Sequence, residues 1–177
     1  TVTQLIGNAK ESDSHTGVNS IVYRLAEKLG ARESLMLAPV IVRSEALKQS
    51  ILSDPFYQES YSIFKRCTIA VVGIGTAQSQ WKHMISLYDR TDMEQSKWTK
   101  DVAGEVCTHF FDKNGNEVIP PFGDQIIAIP LEDYQNIPTR IGVAGGLEKT
   151  EAIRAALNGN YVNVLITDFQ TANELIV

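Results

Sequence analysis

The sequence predicts an α/β fold in which helices are layered on a mostly parallel, Rossmann-like sheet. Segments with strand character alternate with segments of helical periodicity along the 177 residues, which is the pattern of a layered α/β domain. In addition, Thr68–Ile74 is a short apolar run with glycines at its end. A strand that is apolar on both faces is typical of a parallel sheet buried between helices.

Strands are predicted where short apolar runs are bounded by turn residues. Pro39 interrupts the second run, and Asp112–Gly115 has the composition of a hairpin turn, so we expect its flanking strands to form a small flap on the domain. The predicted strands are Val2–Ile6, Leu35–Val42, Thr68–Ile74, Val106–Phe111, Glu117–Ile119, Gln125–Ile129, Thr139–Ala144 and Tyr161–Thr167.

Helices are predicted from apolar residues at three- and four-residue spacing and from residues that begin or end a helix. Gly30 ends the first helix, Ser44 caps the second, and Asp54 followed by Pro55 begins the third. The predicted helices are Val18–Leu29, Ser44–Leu52, Pro55–Phe64, Gln78–Asp101, Leu147–Leu157 and Thr171–Ile176, of which Gln78–Asp101 is only loosely patterned.

Composition and charge limit the classes of function. The net charge is −5 and the isoelectric point about 5.2, and no more than two Lys or Arg residues are adjacent. Strong nucleic-acid binding by this chain is therefore not expected. The apolar runs are too short to span a membrane, and no signal peptide is seen, so we expect a cytoplasmic protein. Cys67 and Cys107 lack zinc-site spacing and are expected to be reduced.

The length is that of one domain, and residues 1–177 are interpreted as such. The sequence does not begin with Met, and the predicted strand Val2–Ile6 begins directly after its first residue. We therefore expect a fragment of a longer protein.

Ligands of open α/β sheets bind beyond the carboxyl ends of the strands, and four strand ends here carry residues suited to that role. Glycines let the backbone approach a ligand closely. The four candidate segments are Gly7-Asn8-Ala9-Lys10, Gly73-Ile74-Gly75-Thr76, Gly145-Gly146 with Lys149, and Thr167-Asp168.

Lys149 follows Gly145-Gly146 in the first turn of a predicted helix. The start of a helix carries partial positive charge, so a lysine is unfavourable there unless an anion lies nearby. A phosphate or a carboxylate of a ligand would supply that anion. A solvated surface pair with Glu148 or Glu151 is the alternative.

The other candidates also have structural interpretations. Gly73-Ile74-Gly75 resembles the start of a dinucleotide-binding motif but lacks its third glycine, so a turn that lines a pocket or only a tight turn is favoured. Asp168 precedes the last helix and is a good candidate to cap it, with a ligand contact as a second role. Glu105 either accepts hydrogen bonds from sugar hydroxyls or is a surface residue.

Nothing in the sequence favours catalysis. His15, His83 and His109 show no metal-binding spacing, and no Ser/His/Asp order or nucleophile elbow is seen. Glu105 or Asp168 could act as a general base, but neither has a matched acid partner. We therefore predict no catalytic residue, no metal, no cofactor and no enzymatic activity.

The run Val143–Leu157 resembles the C-terminal signature of the SorC family of sugar-binding regulators, and Tyr161–Asp168 with Thr171-Ala172 continues it. Shorter landmarks of the family follow one another in the right order. These are Leu37-Ala38-Pro39, Ser53-Asp54-Pro55, Val72–Gly75, Gly104-Glu105-Val106 and Phe110-Phe111-Asp112.

The resemblance covers nearly the whole chain and implies a fold like that of the phosphosugar isomerases and deaminases, without their chemistry. It implies an effector-binding domain for a phosphorylated sugar, which changes oligomerisation or operator affinity. The helix-turn-helix domain that binds operator DNA is expected upstream of Thr1, and the regulator is expected to be a homodimer or homotetramer. A phosphosugar isomerase or deaminase and a purely structural oligomerisation domain are the alternatives.

By the resemblance, Lys149 contacts a phosphate or sugar oxygen, Glu105 accepts sugar hydroxyls, and Gly73 and Gly75 line the pocket. The loop after the first strand is implied to bind phosphate. This sequence departs from the family in that loop and at Phe169, where an acidic residue is common. Those departures leave the identity of the sugar open.

Overall fold

The computed structural model describes residues 1–8, 17–76 and 97–176. Their contacts divide the chain into two compact units. The first unit comprises Thr1–Arg66 and Pro121–Pro130, and the second comprises Cys67–Pro120 and Leu131–Val177.

The first unit contains the three helices whose ends were predicted from local sequence. Gly30 adopts a left-handed conformation (φ 59°) and ends the first helix. The Ser44 hydroxyl accepts a hydrogen bond from the Leu47 N–H at 3.2 Å, and the Asp54 carboxylate accepts one from the Phe56 N–H at 2.8 Å. The elements are β1 (Val2–Thr3), α1 (Val18–Leu29), β2 (Glu33–Ser34), α2 (Glu45–Ser53) and α3 (Pro55–Phe64), with β1 and β2 parallel.

The predicted strands Leu35–Val42 and Gln125–Ile129 are wrong as continuous strands. The first segment makes only isolated bridges, which pair Pro39 with Asn8 and Ile41 with Ile126. Pro39 has no N–H to donate, and the segment bonds to one neighbour and then to the other, so no ladder forms. A 3₁₀ turn at Gly123–Gln125 also occupies the start of the second segment.

The second unit contains two sheets. Its elements are β3 (Ile69–Gly73), β4 (Gly75–Thr76), β5 (Gly104–Val106), β6 (His109–Phe111), β7 (Glu117–Val118), α4 (Leu131–Gln135), β8 (Thr139–Val143), α5 (Thr150–Asn158), β9 (Val164–Ile166) and α6 (Phe169–Ile176). One sheet is parallel, in the order β3-β8-β9, and the other is antiparallel, in the order β4-β5-β6-β7. The parallel sheet confirms the predicted fold class.

The antiparallel sheet is the predicted flap, and the turn at Asp112–Gly115 joins β6 to β7 as expected. The predicted single strand Val106–Phe111 is wrong, because a two-residue turn divides it into β5 and β6. Cys107 and Thr108 in that turn have φ values of 51° and 68°, which no strand residue adopts. The predicted helix Gln78–Asp101 lies mostly outside the described residues, and its end is a 3₁₀ turn, Lys97–Asp101.

Side chains of the parallel sheet alternate between a buried and an exposed face. Ala70 and Val72 of β3 are buried, whereas Ile69 and Val71 are exposed. The expectation that this strand is buried on both faces is therefore wrong for the residues that the structure describes. No helix in the described ranges is both long and apolar enough to cross a membrane.

Candidate functional site

The candidate site lies at the carboxyl edge of the parallel sheet in the second unit. In the last row of the sheet, Gly73 pairs with Val143 and Val143 with Ile166. Because the strands are parallel, the segments that follow them begin at the same edge. Three of the four predicted strand ends thus belong to one sheet edge, and these carry Gly73, Ile74, Gly75, Thr76, Gly145, Gly146, Lys149 and Asp168.

Lys149 connects two of these segments. Its ammonium group donates a hydrogen bond to the carbonyl oxygen of Ile74 at 3.0 Å. Within the described ranges no carboxylate lies within 4 Å of this ammonium group, so the alternative interpretation, a surface pair with Glu148 or Glu151, is not formed there. A carbonyl accepts a hydrogen bond without cancelling the charge, and Lys149 therefore brings a positive charge to the sheet edge.

The Gly145-Gly146 loop is held in place by Asp168 and Thr171. The Asp168 carboxylate accepts hydrogen bonds from the Thr171 N–H at 2.9 Å, the Thr171 hydroxyl at 2.7 Å and the Gly146 N–H at 2.8 Å. The Thr171 hydroxyl oxygen also accepts from the Gly146 N–H at 2.9 Å. The predicted helix cap is confirmed, and the same carboxylate fixes the loop between β8 and α5.

Both glycines of this loop are required by its geometry. Gly146 has a φ of 106°, which side-chain-bearing residues rarely adopt. A Cβ atom on Gly145 would lie 2.5 Å from an oxygen of the Asp168 carboxylate. The close approach of loop and cap therefore depends on the absence of side chains.

The pH dependence of stability should report the Asp168 interactions. The Thr171 hydroxyl, the Thr171 N–H and the Gly146 N–H lower the pKa of Asp168 from 3.8 to about 2. Since the folded state binds this proton more weakly than the unfolded chain, the stabilisation is present above the unfolded pKa and is lost as the pH falls. We expect the difference in Tm between the natural protein and Asp168→Asn to shrink between pH about 4 and about 2. A difference in Tm that does not change with pH would contradict this role of the carboxylate.

Glu105 lies in β5 opposite Gly75 of β4. It is only 7% exposed, and its carboxylate accepts a hydrogen bond from the Thr108 N–H at 2.8 Å. The carboxylate thus stabilises the left-handed turn at Cys107 and Thr108. Burial, and then the charge of Glu105, raise the pKa of the Cys107 thiol well above its usual range. The sugar contact that the resemblance implies for Glu105 stays a prediction.

The fourth candidate segment belongs to the first unit. The Asn8 side chain donates to the Met36 carbonyl at 3.2 Å and accepts from the Gln4 amide at 3.0 Å. A Cβ atom on Gly7 would lie 2.7 Å from backbone atoms of Ala38 and Pro39. Asn8 therefore holds this segment against Met36, and Gly7 allows the close approach to Ala38 and Pro39. Ala9 and Lys10 lie outside the described residues, and the phosphate-binding role of this segment stays a prediction.

Thr171 is the site residue that the sequence reasoning missed. Its side chain is fully buried and contacts both Asp168 and Gly146. The available signal was its position three residues after a helix-capping aspartate, where capping boxes place the reciprocating residue.

The histidines add no metal site within the described ranges. His15 and His83 lie outside those ranges. The His109 ring lies 3.6 Å from the Glu117 carboxylate and stacks on Tyr134. In residues 1–8, 17–76 and 97–176, no group of three His, Cys, Asp or Glu side chains is placed to hold a metal ion.

The chain is similar to transcription regulators. Over residues 1–177 the chain matches the family described as "Putative sugar-binding domain". The deoxyribonucleoside regulator of Bacillus subtilis (strain 168) is 29% identical over 175 residues, which cover 99% of this chain and 56% of that protein. The sorbitol operon regulator of Klebsiella pneumoniae is 26% identical over 174 residues, which cover 96% of this chain and 54% of that protein.

Solved structures share the fold. The crystal structure of the full-length sorbitol operon regulator SorC from Klebsiella pneumoniae has a TM-score of 0.87 and 26% identity, with 99% of this chain and 57% of that chain covered. A transcriptional regulator from Streptococcus pneumoniae TIGR4 has a TM-score of 0.84 and 31% identity, with 98% and 66% covered.

The chain spans about half the length of the curated relatives that it matches. The family match extends over all of its residues, and the structural match to SorC extends over 99% of them. Both findings confirm the resemblance and the fold class predicted from the sequence. The chain belongs to the family of sugar-binding domains found in SorC-type transcriptional regulators.

Proposed function

We propose that this chain is the ligand-sensing domain of a bacterial transcription regulator of carbohydrate metabolism. The ligand is a phosphorylated sugar that binds at the carboxyl edge of the β3-β8-β9 sheet. The observation that carries the proposal is the Lys149 ammonium group, held against the Ile74 carbonyl where the glycine loop follows β8. That two relatives are a sorbitol operon regulator and a deoxyribonucleoside regulator supports a carbohydrate ligand.

The loop offers backbone donors beside this charge. The Gly146 N–H is bonded to Asp168 and Thr171, and the Lys149 N–H is bonded to the Gly146 carbonyl. Between them, the N–H groups of Leu147 and Glu148 have no acceptor in the part of the chain that the structure describes. Adjacent backbone N–H groups with a nearby cation are the usual means of binding phosphate.

Binding would act by shifting a conformational equilibrium. Ligand contacts that are stronger in one state favour that state, and the operator affinity of the full-length regulator changes with it. DNA contact is assigned to a helix-turn-helix domain outside these 177 residues, and the regulator works in the cytoplasm as a homodimer or homotetramer. The sugar is bound and released without a chemical reaction.

A thermal-shift screen against phosphorylated and free sugars tests the proposal. Saturation at a hundred times Kd stabilises the folded state by about 2.7 kcal/mol, which raises Tm by roughly 5–10 °C for a chain of this size. We expect such a shift with a phosphorylated sugar that is recovered unchanged after incubation. Recovery of a converted sugar would instead identify an isomerase or deaminase, and no shift with any sugar would reject the proposed ligand class.

Glu148 provides a test of the phosphate itself. Its carboxylate oxygens lie 2.5 and 2.6 Å from the position that a Cβ atom on Gly146 would occupy, so a negative charge rests against the loop. We expect Glu148→Gln to tighten binding of the phosphorylated sugar by roughly 2- to 5-fold, as removal of a surface repulsion does. Titration calorimetry should show no change for the same sugar without its phosphate. Equal effects on both sugars would contradict a phosphate at this loop.

A further inference from the structure

The exposed face of the β3-β8-β9 sheet is apolar except for Thr139, which pairs with Ile69, and we name it the outer sheet face. The exposed fractions are 61% for Ile69, 60% for Val71, 56% for Ile166, 45% for Val143 and 42% for Val164. Ile141 lies on the same face and is partly exposed. All six side chains are valine or isoleucine.

The register makes these side chains one continuous patch. Val71 pairs with Ile141 and Ile141 with Val164, and in the next row Val143 pairs with Ile166. Paired residues of a sheet point to the same side, and their side chains are in contact distance of one another. The patch therefore extends across all three strands.

Exposure of such an apolar sheet face to solvent is unfavourable. Sheets with one solvated face alternate apolar and polar residues, whereas parallel sheets are almost always covered by helices on both faces. A Val or Ile side chain that stays exposed contributes none of the stabilisation that its burial would provide. A contiguous exposed apolar patch is therefore typical of an interaction surface.

We propose that the outer sheet face is covered by amphipathic helices of the same polypeptide, from the part of the longer regulator that lies outside these 177 residues. The length of the relatives supports this occupant, because the matched part is 66% of the Streptococcus pneumoniae chain and 57% of full-length SorC. Parallel strands are joined by crossovers that are usually helical and lie on a face of the sheet. The patch carries no charge, so it fits the apolar stripe of such a helix. This inference does not depend on the proposed ligand.

Thiol labelling of Val71→Cys tests the proposal. We expect a maleimide to modify this residue rapidly in the 177-residue chain and at least roughly 10-fold more slowly in the longer regulator, at every protein concentration, because the cover is intramolecular. Lys113→Cys, in the exposed hairpin turn, is the matched control and should react equally in both. The reaction of the natural Cys67 and Cys107 is measured in the parent proteins and subtracted.

The other outcomes overturn the proposal. Equal labelling rates of Val71→Cys in the two proteins would show that the face is not covered in the longer regulator. Slow labelling in the 177-residue chain itself would mean that this chain already covers the face. Protection that grows with protein concentration would assign the face to a second copy. As a second measurement, Val71→Asp should lower the Tm of the longer regulator more than that of the 177-residue chain, and the reverse order would also overturn the proposal.

Discussion

Replacing Lys149 with alanine is expected to weaken the binding of a phosphorylated sugar by roughly 10-fold or more, the usual loss when a charge-assisted hydrogen bond is removed. In the structure the ammonium group donates to the Ile74 carbonyl and meets no carboxylate of the described residues. A phosphate would therefore meet a cation that no carboxylate of the described residues already pairs with. Isothermal titration calorimetry with the sugar found in the screen measures the effect.

The matched control is Lys113→Ala, which removes the same charge from the exposed hairpin turn and should leave Kd unchanged. The Tm of Lys149→Ala without ligand separates binding from folding, and we expect it to stay close to that of the natural protein. An unchanged affinity in a folded Lys149→Ala variant would remove Lys149 from the site. Equal losses in the two variants would indicate only long-range attraction.

The largest loss of stability is expected from Gly115→Ala. Gly115 ends the hairpin turn with a φ of 86°, and a Cβ atom there would collide with the backbone N and Cα of Gly159, just after α5. A left-handed conformation costs an L-residue roughly 1–2 kcal/mol, and overpacking adds roughly 1–3 kcal/mol. Urea unfolding should therefore show a loss of roughly 2–5 kcal/mol in the free energy of unfolding.

Gly30→Ala separates the two contributions. Gly30 is also left-handed, with a φ of 59°, but nothing lies within 4 Å of the position of its Cβ. This variant should lose only the conformational part, roughly 1–2 kcal/mol. If both variants lost the same free energy, the close packing of the hairpin turn against Gly159 would be disproved.

Helix ends were predictable from the sequence because their chemistry is local. Ser44, Asp54 and Asp168 each cap the following helix by accepting a hydrogen bond from an N–H group two or three residues later. The type of residue at the position before a helix is therefore enough to predict these caps. Strand pairing depends on distant residues and was predicted less well. Leu35–Val42 has the composition of a strand, but its bonds alternate between Asn8 and residues 125–127, which no local pattern encodes.

The candidate site was predictable in outline for the same reason. Glycines and a lysine after apolar strands identify a carboxyl edge, and the parallel register brought three of the four segments together. The partner of Lys149 is a main-chain carbonyl. Every residue has such a carbonyl, so the type of residue does not indicate which one accepts the bond. Likewise, the sequence identified Glu105 as a candidate site residue but did not predict that its carboxylate accepts a hydrogen bond from the Thr108 N–H. That bond depends on the turn at Cys107 and Thr108, where the sequence pattern predicted a continuous strand.

The hydrogen bonds that the Gly146 N–H donates to Asp168 and Thr171 have a consequence for signalling. They fix the shape of the loop by contacts within the protein, so a ligand that arrives there meets a preorganised surface and loses little affinity to ordering. A surface that is the same in both states of a regulator binds a ligand equally in both, and equal binding shifts no equilibrium. If the loop keeps these bonds in both states of the proposed sensor, it provides affinity alone, and the free energy that changes operator binding comes from contacts elsewhere on the sugar.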